Sequence, residues 1–328
     1  MQAADRTLLG EEQRAWFLDQ LASSTARYKL IGHQVIFSEF NMDWAGLQLQ
    51  WPYESVESDF LDIWDGYPAA RQRIVDRIDS LGIHDVVILT GDFHTALAFE
   101  VAVPANELSF RTEGTLGRVP IYTPTAYDPE TGAGTVALEF AIPSISAANF
   151  DEATGREVAQ QLAEQLITEL SPKPGLNLGV PNPHMKYANL SDHGYYVLDV
   201  RPDSITVDYF SSPILERSTT ETFAAGFRKA AVSNHLQTAD APAAGKARTD
   251  TPAPAGPPGL GTATSTVSGP TVLPVAPNPY RQRQPREVLT AGGRHDDHRS
   301  ARCDRPAAPR LPYGAAGGRT VHPVGRAG

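Results

Sequence analysis

The chain has 328 residues, enough for two domains, but its composition is uneven along its length. Residues 241–328 hold 14 of the 27 prolines and 12 of the 27 glycines, with 12 Lys and Arg against 5 Asp and Glu, whereas the first 240 residues hold 16 basic against 33 acidic side chains. An acidic front portion excludes the basic face that nucleic-acid binding needs, the single Cys303 excludes internal disulfides and a cysteine metal cluster, and no apolar run approaches the ~20 residues of a membrane span.

The first predicted element is a helix opening at Thr7 or Gly10, with Glu11 and Glu12 in its first turn, where they favour the positive end of the helix dipole. Trp16, Phe17 and Leu21 are its expected buried face. Lys29–Phe37 reads as a strand. Asn41–Tyr67 is a long segment without regular periodicity, rich in aromatics (Trp44, Trp51, Tyr53, Phe60, Trp64), and such loops are usually functional or disordered. Ala69–Leu81 is a helix with Ile74, Val75, Ile78 and Leu81 on one stripe, closed by Gly82. Asp85–Thr90 is a continuous apolar run, the pattern of a strand buried on both faces. Thr135–Ile142 is a further strand, and Val158, Leu162, Leu166 and Leu170 predict a helix bounded by Ser171-Pro172. Gly194–Phe210 folds back on itself at an Arg-Pro-Asp turn as a hairpin. Alternating helices and strands predict a layered α/β domain over residues 1–237. A Pro/Ala/Gly/Thr-rich linker over 238–272 and a disordered tail over 273–328 follow, because so few large apolar side chains cannot offset the entropy of ordering.

The strongest local signal for chemistry is Gly91-Asp92-Phe93-His94, directly after the buried strand. Ligands in α/β folds sit beyond the carboxyl ends of strands. In an extended segment Asp92 and His94 project to one side, and a carboxylate with an imidazole suits a hydrolytic metal. The bland alternative is a strand end where Asp92 caps a turn and His94 is merely exposed. Asp65 reads as an ion-pair partner of Arg71, and Asp192 and His193 read as turn residues.

Several short motifs occur in one order: Leu9-Gly10-Glu11-Glu12-Gln13, Ile31-Gly32-His33-Gln34-Val35, Trp64-Asp65-Gly66-Tyr67 with Arg71, and Leu89-Thr90-Gly91-Asp92-Phe93-His94. Leu138-Glu139-Phe140, Pro143-Ser144-Ile145-Ser146, Asn182-Pro183-His184-Met185-Lys186-Tyr187 and Gly194-Tyr195 follow. This succession, over roughly Arg6 to Pro213, resembles the C-terminal half of the PhoD-like alkaline phosphatases of the calcineurin-like metallophosphatase superfamily. The resemblance implies a four-layer α/β sandwich and a bimetallic or trimetallic centre, with calcium and iron, that cleaves phosphate mono- or diesters. It makes Asp92 and His94 metal ligands and Trp64, Tyr67 and His184 candidates to line the substrate pocket. His33 stands where the resemblance implies asparagine.

The family's upstream ligand segments, of the form Gly-Asp-x-x-Tyr and Trp-Asp-Asp-His, do not occur before Gly91, and Met1 leads into neither a signal peptide nor a flexible leader. The expectation is therefore an enzyme fragment, inactive alone, whose partner is the N-terminal half of the same domain; the alternative is a non-catalytic secreted or orphan fragment that keeps only the fold motifs. Leu273–Tyr280 resembles the opening of a type IX secretion sorting domain, after which the residues turn Arg-, Gly- and Pro-rich as a frameshift would make them. The full-length protein is accordingly expected to be secreted or held at the cell surface.

Overall fold

The structure, a computed structural model, describes residues 6–45, 62–102 and 104–245, all within the first of two units, Met1–Thr249 and Asp250–Gly328. The tail readings and Trp51, Tyr53 and Phe60 lie outside the described residues.

The described residues form an α/β fold. Helix α1 (Glu11–Ser23) precedes strand β1 (Lys29–His33); a 3₁₀ turn at Trp64–Gly66 leads into α2 (Pro68–Ser80) and β2 (Val86–Thr90). Strands β3 (Ala96–Ala102), β4 (Asn106–Glu113), β5 (Gly117–Pro124) and β6 (Thr135–Ala141) follow, then α3 (Phe150–Thr154) and α4 (Arg156–Ile167). The last strands are β7 (Met185–Asn189), β8 (Gly194–Val200), β9 (Ser204–Ser211), β10 (Thr222–Ala230) and β11 (Gln237–Ala239).

Five strands make one sheet in the order β1-β2-β6-β3-β7, with β1, β2 and β6 parallel and β3 antiparallel to both of its neighbours. A second, antiparallel sheet runs β11-β10-β9-β8, and β4 and β5 pair as a separate hairpin.

Alternation along β2 shows why its sequence is apolar throughout. Val86 and Ile88 face the cluster that holds α2 and α4, whereas Val87 packs with Ile205, Val207, Tyr209 and Phe227 of the second sheet. Each side chain is thus removed from water by one of two layers, as the unbroken apolar run requires. The described residues stack as helices, sheet and sheet.

Several expected boundaries shift for physical reasons. Only Leu21 of the expected α1 face is buried, and Trp16 stays 46% exposed. Strand β1 ends at His33 rather than Phe37, because the next backbone groups are bound by side chains and leave the ladder. Leu81 caps α2 and is exposed. Leu170 is buried but lies past α4, where its backbone bridges Gly179. Strand β11 carries the ordered fold beyond residue 237.

Candidate metal site at the carboxyl end of the sheet

The parallel trio β1, β2 and β6 sends three exit segments to one end of the sheet. Gly91 N donates to His33 O (3.2 Å), Ile142 N to Thr90 O (2.9 Å) and Ser144 N to His94 O (3.3 Å), so the exits of all three strands are tied together. Phe93 adds an apolar link, its ring 5.1 Å from Phe40 and 5.8 Å from Phe150.

Asp92 and His94 lie on the β2 exit, as the sequence places them, but not in extended backbone. Their φ angles are 67° and 63°, in the left-handed region, so simple strand alternation does not govern their directions. Side chains other than glycine held there are often at functional sites. Asp92 is exposed and His94 half-buried. The His94 ring is oriented by one contact, Nδ1 to Ala148 O at 2.9 Å. A carbonyl only accepts, so Nδ1 carries the proton and a neutral ring keeps its lone pair on Nε2. A backbone carbonyl behind one imidazole nitrogen is the usual support for a metal-ligating histidine. A ring held in this way fits a metal ion.

The β1 exit, residues 34–45, is held by a series of side chains from distant segments. Phe37 N and Ser38 N donate to the two oxygens of Glu139 (2.8 and 2.7 Å), and Thr90 Oγ1 donates to the same carboxylate at 2.6 Å. His184 Nε2 donates to Glu39 O (2.9 Å), and Phe40 N donates to Asp65 Oδ2 (2.8 Å). Asn182 binds both the N–H and the carbonyl of Asn41. Arg71 pairs with Glu39 and, at 3.5 Å, with Asp65, as the sequence suggested for Asp65. One guanidinium between two carboxylates leaves an uncompensated charge. Burial is the main reason that Asp65 is raised to about 6, partly offset by Arg71.

The three substrate-pocket candidates have other contacts as well. Trp64 is buried and spends its indole N–H on His33 Nε2. Tyr67 is half-buried, with the Arg6 guanidinium 4.6 Å from its ring centre. His184 is 1% exposed, packs 5.7 Å from Phe99 and clamps the β1 exit through Glu39 O. Its ring is kept neutral, lowered to about 4 chiefly by burial.

That shift gives a pH test. The unfolded ring takes a proton near 6.5 and the folded ring only near 4, so the neutral histidine stabilises the fold less as pH falls through that window. The stability advantage of wild type over His184→Asn is expected to be constant above pH 6.5. It should shrink by about 3 kcal/mol on acidification to about pH 4, at 1.36 kcal/mol per pH unit. Urea unfolding of both proteins across that range measures it.

His193, expected as a turn residue, is buried. Its Nε2 lies 3.0 Å from Glu152 Oε1 and 3.8 Å from Asp151 Oδ1. Asp192 is a turn residue that pairs with Arg156. Among the described residues, Asp151, Glu152 and His193 form the one group of three potential ligands within 4.8 Å of one another. The sequence hint was a histidine beside a Gly-Tyr strand start, its partners Asp151 and Glu152 lying about 40 residues away.

The sequence model of the PhoD-like phosphatase family matches residues 1–209. Alkaline phosphatase D of Bacillus subtilis (strain 168) is 36% identical over 110 residues, which cover 34% of this chain and 17% of the relative. A solved structure of PhoD superposes with a TM-score of 0.48 at 23% identity, over 73% of this chain and 37% of that one. The chain thus spans 17% of the curated relative's length and 37% of the solved one's.

Proposed function

The chain belongs to the PhoD-like phosphatase family, and on that premise we propose that it carries part of the metal centre of a phosphoric ester hydrolase, with Asp92 and His94 as ligands. The observation that carries the reading is the support of His94: Nδ1 is tied to Ala148 O, leaving Nε2 for a cation on the same exit turn as Asp92. A carboxylate and an imidazole suit a hard or borderline ion, with calcium and iron the ions the family likeness implies. When bound, such ions lower the pKa of a water and offset the charge of the phosphoryl oxygens.

The work of this chain is to hold that pair still. The β2 exit is tied to both neighbouring exits, and the β1 exit beside it is fixed by Glu139, His184, Asp65 and Asn182. No third His, Cys, Asp or Glu of the described residues joins Asp92 and His94 in a three-ligand group. We infer that polypeptide outside the described residues completes the set. An open apolar trough of about 1040 Å³ supports this; it runs beside the sheet-edge strand β1 and is lined by Trp16, Phe17, Leu30, Ile31 and Trp64. Leu30 is 45% exposed there, an apolar edge that seeks cover.

The purified chain is expected to hydrolyse p-nitrophenyl phosphate and a bis-ester analogue weakly when calcium, iron, zinc or manganese is added. His94→Ala or Asp92→Asn should lower that turnover, and the calcium affinity measured by calorimetry, by about 10²-fold, the scale of losing one well-placed catalytic interaction. Turnover and calcium affinity unchanged in both variants would overturn the assignment.

A further inference from the structure

A second group of potential ligands stands apart from Asp92 and His94, where α3 meets the start of β8. Glu152 divides its two oxygens: Oε2 accepts from Asn149 N (2.7 Å) to complete a capping box, and Oε1 faces His193 Nε2. Asp151 Oδ1 faces the same nitrogen, is shut off from solvent and has no hydrogen-bond partner. His193 is 6% exposed, its Nδ1 also lacks a partner, and outside this cluster its ring makes no hydrogen bond. Glu152 answers the ring's Nε2, but His193 Nδ1 and Asp151 Oδ1 remain two buried polar atoms without partners, which is costly.

Charge balance points the same way. The nearby Arg156 is committed to Asp192 and to Ser191 O, and among the described residues no Lys or Arg pairs with Asp151 or Glu152. Backbone geometry fixes the ring as well. Gly194, next to His193, has φ 156°, and a Cβ there would meet Phe210 O at 1.9 Å, so this glycine lets β8 start against β9 with His193 held beneath.

We propose that Asp151, Glu152 and His193 bind one divalent transition-metal ion of the zinc or manganese type, at a site separate from Asp92 and His94. Ligand atoms about 2.0–2.2 Å from a tetrahedral zinc lie about 3.4 Å apart, and the two separations from His193 Nε2 bracket that value. Water completes the coordination. The ion joins α3 to β8, and its effect reaches the β6 exit, because Ser144 O accepts from Gly194 N (3.0 Å) and Asn149 Nδ2 donates to Asp192 O (3.4 Å). That exit carries Ala148, whose carbonyl orients His94.

The test uses the full chain carrying Asp92→Asn and His94→Ala, freed of metal by chelation, and titrated with zinc or cobalt(II) by calorimetry and visible absorption. One equivalent should bind, and adding His193→Gln or Asp151→Asn should weaken it at least tenfold. X-ray absorption of the zinc form should show one imidazole nitrogen with oxygen ligands. Asp151→Asn preserves size at a half-buried position, so it keeps the test open if His193→Gln fails to fold. Binding unchanged by both substitutions, an absent binding event in the Asp92→Asn, His94→Ala background, or a sulfur-containing ligand set would each overturn the site. Loss of turnover by His94→Ala with this binding intact would separate the two sites.

Discussion

Glu139→Ala is expected to destabilise the protein by about 3–5 kcal/mol. The carboxylate is fully buried in the middle of β6, where Ala137 and Ala141 share its face of the strand. It accepts from Phe37 N, Ser38 N and Thr90 Oγ1. Removing it strands two backbone N–H groups of the β1 exit in a dry interior. Each hydrogen bond to a charged group is worth about 1.5–3 kcal/mol, and each buried donor left alone costs about 1–3 kcal/mol. A methyl group also leaves a cavity where the rest of the side chain was. Burial holds this carboxyl above the usual range while the three donors act in the opposite direction. Glu139→Gln keeps one acceptor oxygen and should cost about half as much. Urea unfolding measures both, and an Ala variant within about 1 kcal/mol of wild type would show that the β1 exit does not depend on this contact.

The same residue marks how far the fold and site could be read from sequence. Strand β2 was legible because both of its faces are buried, which forces a continuous apolar run. Strand β3 is nearly as apolar but follows the exit turn without a break and contains Glu100, which hides it. Glu100 is satisfied only in three dimensions, by Tyr127, His235 and Leu236 N. Strand β7 lies at the sheet edge and is half-buried along most of its length, and β10 has one face less deeply covered, so neither has a decisive pattern.

At the site, Asp92 and His94 stood out because a strand end next to a Gly-Asp-x-His segment is a local signal. The clamps on the β1 exit are not local. His184 reaches Glu39 across 145 residues, and Glu139 reaches Phe37 across 102. That His184 holds the backbone of Glu39 was not legible, since a polar residue's partner cannot be inferred from its own neighbours. One overlooked clue was available: a glutamate inside an otherwise apolar strand needs buried donors, and only a loop with free N–H groups could supply them. His193 was misread for the same reason, its partner Glu152 being 41 residues away.

Lys229→Met is expected to cost about 3–5 kcal/mol, with its effect at the opposite end of β2 from the candidate metal ligands. Lys229 on β10 is 2% exposed and its Nζ pairs with Asp85 at the amino end of β2. Asp85 Oδ1 also accepts from Val232 N (2.8 Å), and Asp85 O accepts from Lys29 N (2.9 Å), so this one residue joins β1, β2 and the turn after β10. The cost arises because methionine fills the space but leaves a buried carboxylate without its counter-ion, whereas an intact pair contributes little net stability against an apolar replacement. Lys229→Met combined with Asp85→Asn should therefore recover much of the loss, and asparagine tolerates the left-handed backbone that Asp85 adopts at φ 62°. Val232 has a φ of 65°, costly for a β-branched residue, and is held there by the same carboxylate. Urea unfolding of the two singles and the double closes the cycle. A single Lys229→Met loss below about 1 kcal/mol, or a double variant as unstable as the sum of the singles, would show that the pair is not what fixes the second sheet to β2. The expected result instead has β2 anchored at its amino end by a buried ion pair and at its carboxyl end by the tied exit that carries Asp92 and His94.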